Sequence, residues 1–151
     1  MLCGVQRQCT GTAGKITNCQ IGVFAAYAAP DGSRVMIDRE LHLPASWFAE
    51  PAQLVAADAS QYAVFATKPE LAWTMIERAA DDVLLCFGWV RGDEAYGDNT
   101  VLRQQCLSRG LNQVFAVSHD HPITVAGIKT RADIAVAALD RAAWQRYSCG
   151  G

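Results

Sequence analysis

The sequence predicts an α/β fold, a mixed β-sheet flanked by helices, on three observations. Strand-forming runs broken by a turn signal come first, between Gly4 and Leu41. Two segments of helical period with good capping residues follow, at 68–81 and 99–108. Short apolar runs then alternate with those helices. A hairpin followed by helix, strand, helix and strand calls for antiparallel and parallel pairing together, not for a fully parallel doubly wound sheet.

A first strand is expected near Gly4 to Cys9, with Thr10-Gly11-Thr12-Ala13-Gly14 as a flexible connection. Cys19 to Ala28 is apolar and rich in strand formers, Pro30-Asp31-Gly32-Ser33 is a turn signal, and Arg34 to Leu41 alternates. Together they read as an antiparallel hairpin. Pro44 to Tyr62 is alanine-rich, with room for short helical turns but no clear period. Thr67 and Glu70 make a capping box, and Pro69 suits a first helical turn. Leu71, Ala72, Met75, Ile76 and Ala79 share one face, so a helix over 68–81 should pack on a sheet.

Val83 to Val90 reads as a buried strand. Asn99 to Ser108 is a second helix, with Val101, Leu102, Gln105 and Cys106 on one side and Gly110 placed to end it. Gln113 to Ser118 is the next strand, and Thr130 to Leu139 a third helix capped through Thr130 and Asp133. There is no internal repeat and no low-complexity segment.

The length of 151 residues suits one domain with a real core. Half of the residues are hydrophobic and 19% are charged, which excludes a disordered chain. No apolar run approaches the roughly 20 residues of a membrane span, and the N-terminus lacks the apolar stretch of a secretory signal. A soluble, cytoplasmic protein is expected. Cys3, Cys9, Cys19, Cys86, Cys106 and Cys149 are scattered and form no Cys-x-x-Cys pair, which argues against zinc and against a thioredoxin-like motif. A net charge of −2 is not that of an autonomous nucleic-acid binder, so any DNA contact is expected from a local basic patch or from parts this chain does not contain.

The most informative segment is Trp89-Val90-Arg91-Gly92-Asp93-Glu94-Ala95-Tyr96-Gly97. A carboxylate, Asp93, follows an apolar run at once, and Asp98-Asn99 then offer two helix caps. An acid at the carboxyl end of a strand is where α/β folds put metal-binding and catalytic groups. The competing reading is that Asp93 caps the next helix.

Gly4 to Phe24, and in particular Gly4-Val5-Gln6-Arg7-Gln8-Cys9 with Thr17-Asn18-Cys19-Gln20-Ile21-Gly22-Val23-Phe24, resembles the second and third core strands of DDE transposases of the IS701-like group in the IS4-type superfamily. Asp38-Arg39-Glu40-Leu41-His42-Leu43-Pro44-Ala45-Ser46-Trp47 is similar to the segment after the hairpin there. Phe65 to Ala72 and Trp89 to Gly97 match further on, in the right order. The resemblance implies an RNase H-like fold with two aspartates and a glutamate that hold Mg2+ beside a DNA phosphodiester. One metal would activate water or a 3′-hydroxyl, and the other would stabilise the leaving oxygen of an in-line displacement. It also implies that Asp93 is the second aspartate, both catalytic residue and metal ligand.

By the same resemblance the first aspartate belongs upstream of Gly4 and the glutamate beyond Gly151. The expectation is therefore a single incomplete RNase H-like domain over 1–151, an internal fragment of a transposase that is inactive alone. Its expected partners are the DNA of element ends, a second copy of itself through an opened sheet edge, or an intact transposase that it inhibits as a non-catalytic module.

Several residues carry competing readings. Asp38 could replace the missing first carboxylate, or could join Arg39 and Glu40 in an exposed, self-compensating cluster; the second is preferred. Glu94 is read as solvated. Gly11-Thr12-Ala13-Gly14-Lys15 imitates a phosphate loop, but Cys9 and Ile16 stand where glycine and Ser/Thr are needed. Arg7, Lys15 and Arg91 are the cations offered to a DNA backbone, against ordinary surface charges. His119-Asp120-His121 imitates a metal cluster, yet Pro122 follows and no third ligand lies nearby, so a polar strand end is preferred. Trp73, Trp89 and Trp144 are assigned to packing, with base stacking as the alternative for an exposed one.

Overall fold

The computed structural model describes residues 2–10, 14–59 and 62–145. Gly11, Thr12 and Ala13 of the imitation phosphate loop, and Cys149, lie outside the described residues. The architecture is α/β, with strands in both antiparallel and parallel pairs, consistent with an incomplete RNase H-like domain. The chain divides into two units, Met1–Tyr27 with Val35–Val83, and Ala28–Arg34 with Leu84–Gly151.

In the first unit β1 (Gln6–Thr10) pairs antiparallel with β2 (Lys15–Cys19), Gln6 opposite Cys19 and Thr10 opposite Lys15. The sequence reading had placed a single strand from Cys19 onward, so β2 is an addition. β3 (Ile21–Ala28) then pairs with β4 (Arg34–His42). The turn between them is closed by the Ala29 and Gly32 amides, and Asp31 Oδ1 accepts the Ser33 amide at 2.8 Å. This is the expected hairpin.

The alanine-rich stretch forms two short helices, α1 (Ala45–Ala49) and α2 (Pro51–Ala56). α3 (Lys68–Asp81) begins on the expected capping box: Glu70 Oε2 accepts from the Thr67 amide and hydroxyl, each at 2.7 Å. Met75 and Ala79 are buried on the expected face, and Val23, Pro44 and Trp47 are also buried in this unit. Burying a side chain of this size contributes about 1.5–3 kcal/mol. Phe48 and Phe65 meet edge to face, with ring centroids 5.9 Å apart.

In the second unit β5 (Trp89–Gly92) runs parallel to β6 (Asn112–Phe115), with Trp89 opposite Asn112 and Gly92 opposite Phe115. The expected buried strand over Val83 to Val90 is corrected here. Residues 83–88 form no strand, and Val83 and Leu84 are exposed. The ladder with β6 begins where Trp89 meets Asn112, and residues 83–88 lie ahead of it.

α4 (Glu94–Gly97) and α5 (Thr100–Ser108) connect the two strands. Asn99 Oδ1 caps α5 through the Leu102 amide at 2.7 Å. Leu102 and Cys106 are buried on α5 and Leu111 beyond it, while Val101 points to solvent. Gly110 ends the helix at a φ of 71°, a left-handed conformation that only glycine adopts freely.

β7 (Pro122–Val125) and β8 (Ile128–Arg131) form an antiparallel hairpin absent from the sequence reading. Its two-residue loop, Ala126-Gly127, has both φ angles positive, as a type I′ turn requires. The expected helix over Thr130 to Leu139 is thereby shortened to α6 (Ala132–Ala137). Thr130 is a strand residue, and Asp133 takes both terminal contacts of Arg131, Nε at 3.1 Å and Nη2 at 2.8 Å, instead of completing a cap with Thr130. A 3₁₀ turn at Arg141–Ala143 follows.

Candidate functional site

The parallel pair β5–β6 positions the residues singled out by sequence. Gly92 is the last residue of β5, and its carbonyl accepts the Ala116 amide at 3.1 Å. Asp93 comes next, with extended backbone (φ −80°, ψ −174°), and stands exposed at the carboxyl end of the pair. Its Oδ1 accepts the Ala95 amide at 3.0 Å, and its carbonyl accepts the Tyr96 and Gly97 amides. Asp93 is therefore the N-cap of α4, as one of its two sequence readings required. The cap engages Oδ1 of a residue that is exposed as a whole.

Two neighbours fix α4 in place. Tyr96 is half-buried, and burial pushes its phenol pKa up, with the Asp93 charge adding to the shift. Gly97 is buried so tightly that a Cβ there would overlap the Ala116 carbonyl oxygen. Arg103 donates from Nη1 to the Gly97 carbonyl and from Nη2 to Thr100 Oγ1 at 3.2 Å, tying α5 to α4.

Asp98, just past α4, collects two side chains from the segment after β6. His121 Nδ1 lies 2.7 Å from Asp98 Oδ1, and Ser118 Oγ donates to Asp98 Oδ2 at 3.2 Å. This arrangement is not legible in the sequence, where His119-Asp120-His121 reads by preference as a polar strand end; the three residues stand just before β7. The two histidines separate: His121 is mostly enclosed against Asp98, whereas His119 is exposed. Asp120 is held below the usual carboxylate range, first by Ser118.

Among the described residues no three His, Cys, Asp or Glu side chains converge to hold a metal ion. Asp93 and the exposed Glu94 stand without a third ligand, so the donor set present does not fit Mg2+ by itself.

Asp38 is engaged elsewhere. Arg78 of α3 reaches its Oδ2 with Nε at 2.9 Å and Nη2 at 2.8 Å, and reaches Glu40 Oε1 at 2.5 Å. Both carboxylates raise the Arg78 pKa further, Glu40 first. The self-compensating cluster expected of Asp38, Arg39 and Glu40 is thus corrected in its cation, which is Arg78. Asp38 and Glu40 of β4 meet Arg78 of α3 across about 40 residues of chain, a tertiary fact invisible to local spacing.

The expected DNA-contacting cations are not gathered on one surface of the first unit. Arg7 pairs across the ladder with Asn18, and Lys15 with Thr10. Opposed residues share a face and successive ones alternate, so Arg7 and Lys15 occupy opposite faces of the β1–β2 hairpin. Arg91 lies on β5 and is exposed. The packing assignment of the tryptophans is also corrected. Trp89 is 66% exposed and Trp144 60%, Trp73 is half-buried, and Trp47 is the one fully enclosed.

A family model described as DDE superfamily endonuclease matches residues 1–146. No curated protein and no solved structure matches the chain.

Proposed function

We propose that this chain, which belongs to the DDE superfamily endonuclease family, is part of a transposase domain that cuts and joins DNA, with Asp93 as one of its metal-binding carboxylates. The family implies a DNA substrate, and its nucleases generally use divalent metal. The observation that carries the reading is the position of Asp93, exposed at the carboxyl end of a parallel strand pair with one oxygen left for a ligand. The motifs from Gly4 to Phe24 and from Trp89 to Gly97 favour the IS701-like group and an internal fragment of an RNase H-like domain spanning 1–151.

In this reading the chain does not cleave DNA by itself, because one carboxylate cannot build a two-metal site. Asp93 and the elements that hold it contribute position. The α4 cap orients the carboxylate, Gly97 lets α4 lie against the strand exit, and Tyr96 keeps a protonated hydroxyl nearby. Arg7, Lys15 and Arg91 would supply phosphate contacts from separate places. Among the described residues no helix is long and apolar enough to cross a membrane, and a cytoplasmic location belongs to the proposal.

The test incubates the whole chain with labelled DNA and Mg2+ and follows both binding and scission. Salt-dependent binding without scission is expected. Scission abolished by Asp93→Ala would overturn the inactive-fragment reading, and no binding to any DNA would overturn the proposal.

One observation favours a second reading, an interaction role. Val35 and Ile37 share one face of β4 and are 57% and 37% exposed, and Phe24 of β3 is 58% exposed. Such a surface suits pairing with a second copy or with an intact transposase. Sedimentation of the chain alone, and co-purification with a full-length transposase, test it. A monomer that captures no transposase would dismiss it.

A further inference from the structure

We infer that the outward face of the β5–β6 pair, built on Trp89 and Arg91, seats an unpaired nucleotide of DNA beside the Asp93 end of the strand. The inference rests on the DNA-processing role proposed above and names what that role would bind.

Exposure alternates along both strands. Trp89, Arg91, Asn112 and Val114 are exposed, whereas Val90, Gly92, Gln113 and Phe115 are partly buried. The register sets Trp89 opposite Asn112 and Arg91 opposite Val114, so all four exposed residues share one face. An indole that is 66% exposed and two residues from a cation is costly to leave bare in water, since its apolar area has no cover. The four paired residues of this face are an aromatic, a guanidinium, an amide and a valine, and exposed Asp93 follows two residues beyond Arg91.

That composition selects one occupant. A base can stack on the indole, which tolerates any base because every base has a π-face. The adjoining phosphate meets the Arg91 guanidinium, whose planar fork can take two of its oxygens at once. An acidic or purely apolar protein segment would use only half of the surface. A base stacked inside a duplex cannot offer its face to Trp89, so the seat takes a single-stranded or flipped-out nucleotide.

The spacing places this seat next to Asp93. Two residues of strand separate Arg91 from Asp93, about 7 Å, and four separate Trp89 from it, about 13 Å, at roughly 3.3 Å per residue. Successive phosphates rise about 3.4 Å per strand in duplex DNA. A strand whose unpaired base rests on Trp89 would thus carry its backbone past Arg91 toward Asp93 within a few nucleotides.

The test uses the whole chain and fluorescence anisotropy with two labelled DNAs, one blunt duplex and one bearing a single-stranded overhang. Stronger binding of the overhang DNA by the native chain is expected. Trp89→Ala should weaken overhang binding by about 5- to 150-fold and leave blunt binding within about twofold, while Trp89→Phe, which keeps a stacking ring, retains most of the preference. Arg91→Ala should weaken both DNAs and lower the salt dependence by about one ion. Equal weakening of both DNAs by Trp89→Ala, or no effect on either, overturns the seat while leaving the DNA-processing role intact. Self-association lost in Trp89→Ala with DNA affinity unmoved also overturns it, and assigns the face to a second copy. Failure of the native chain to bind either DNA removes the underlying role together with the inference.

Discussion

His121 Nδ1 and Asp98 Oδ1 lie 2.7 Å apart, joining the segment after β6 to the residue that ends α4. The imidazole is mostly enclosed and the carboxylate half exposed. This tie holds the far end of the short helix whose near end is capped by Asp93. In a double-mutant cycle, Asp98→Ala and His121→Ala should show coupling of about 0.5–1 kcal/mol, since the carboxylate remains partly solvated. Urea unfolding of the four proteins measures it. Zero coupling would mean that the contact contributes nothing to the native state.

Gly97→Ala is expected to be among the most damaging single substitutions in the chain. The added methyl would meet the Ala116 carbonyl, which is backbone and cannot rotate away. Overpacking of this kind costs about 1–3 kcal/mol. Gly92→Ala should be milder, because its new methyl would meet the Phe115 and Tyr96 rings at 3.1–3.2 Å, and rings can shift. Thermal unfolding of both variants checks the order, and an equal effect would contradict it.

Leu102→Ala should destabilise the second unit by about 2–5 kcal/mol, because Leu102 is 1% exposed and its removal leaves a cavity. Val101→Ala, one residue earlier and 60% exposed, should change stability by less than about 0.5 kcal/mol. The contrast is read from chemical denaturation followed by tryptophan fluorescence.

The Thr67–Glu70 capping box gives a pH dependence with a definite sign. The Thr67 amide first, and its hydroxyl second, hold the Glu70 carboxyl below its ordinary value. A depressed carboxylate pKa adds stability above the unfolded-state value and loses it as the pH falls through the folded-state value. The stability difference between the native chain and Glu70→Gln should therefore be present at neutral pH and vanish in acid. A difference that persisted at low pH would show that the carboxylate charge is not what the cap uses.

Arg78→Ala tests how Asp38 and Glu40 are held. The network is solvated on both sides, with about half of the Arg78 side chain exposed, so the loss should be no more than about 1 kcal/mol. Raising the salt concentration should narrow the gap between native and variant chains. A salt-independent loss would point to packing of the Arg78 stem instead.

Local chemistry was written plainly in the sequence. The capping box fixed the start of α3, Asn99 the start of α5 and Gly110 its end, because each of these signals acts within one helical turn. The turn at 30–33 announced the β3–β4 hairpin for the same reason. Asp93 was legible as an acid at a strand end, and capping was one of its two stated readings. Features that depend on distant partners were not legible. Val83-Leu84-Leu85-Cys86 has the composition of a strand but lies outside the ladder with β6, which begins only at Trp89. The β7–β8 hairpin was missed because Ala126-Gly127 lacks the usual Asn-Gly or Asp-Gly signal. The cation for Asp38 is 40 residues away on α3, and the carboxylate for His121 is 23 residues upstream. Sequence alone determined where α3 and α5 start and where α5 stops, since the backbone groups at those helix ends are satisfied by neighbours within one turn. Tertiary structure alone decided which face of β5 meets water and which charges meet, since those outcomes depend on partners brought together by folding.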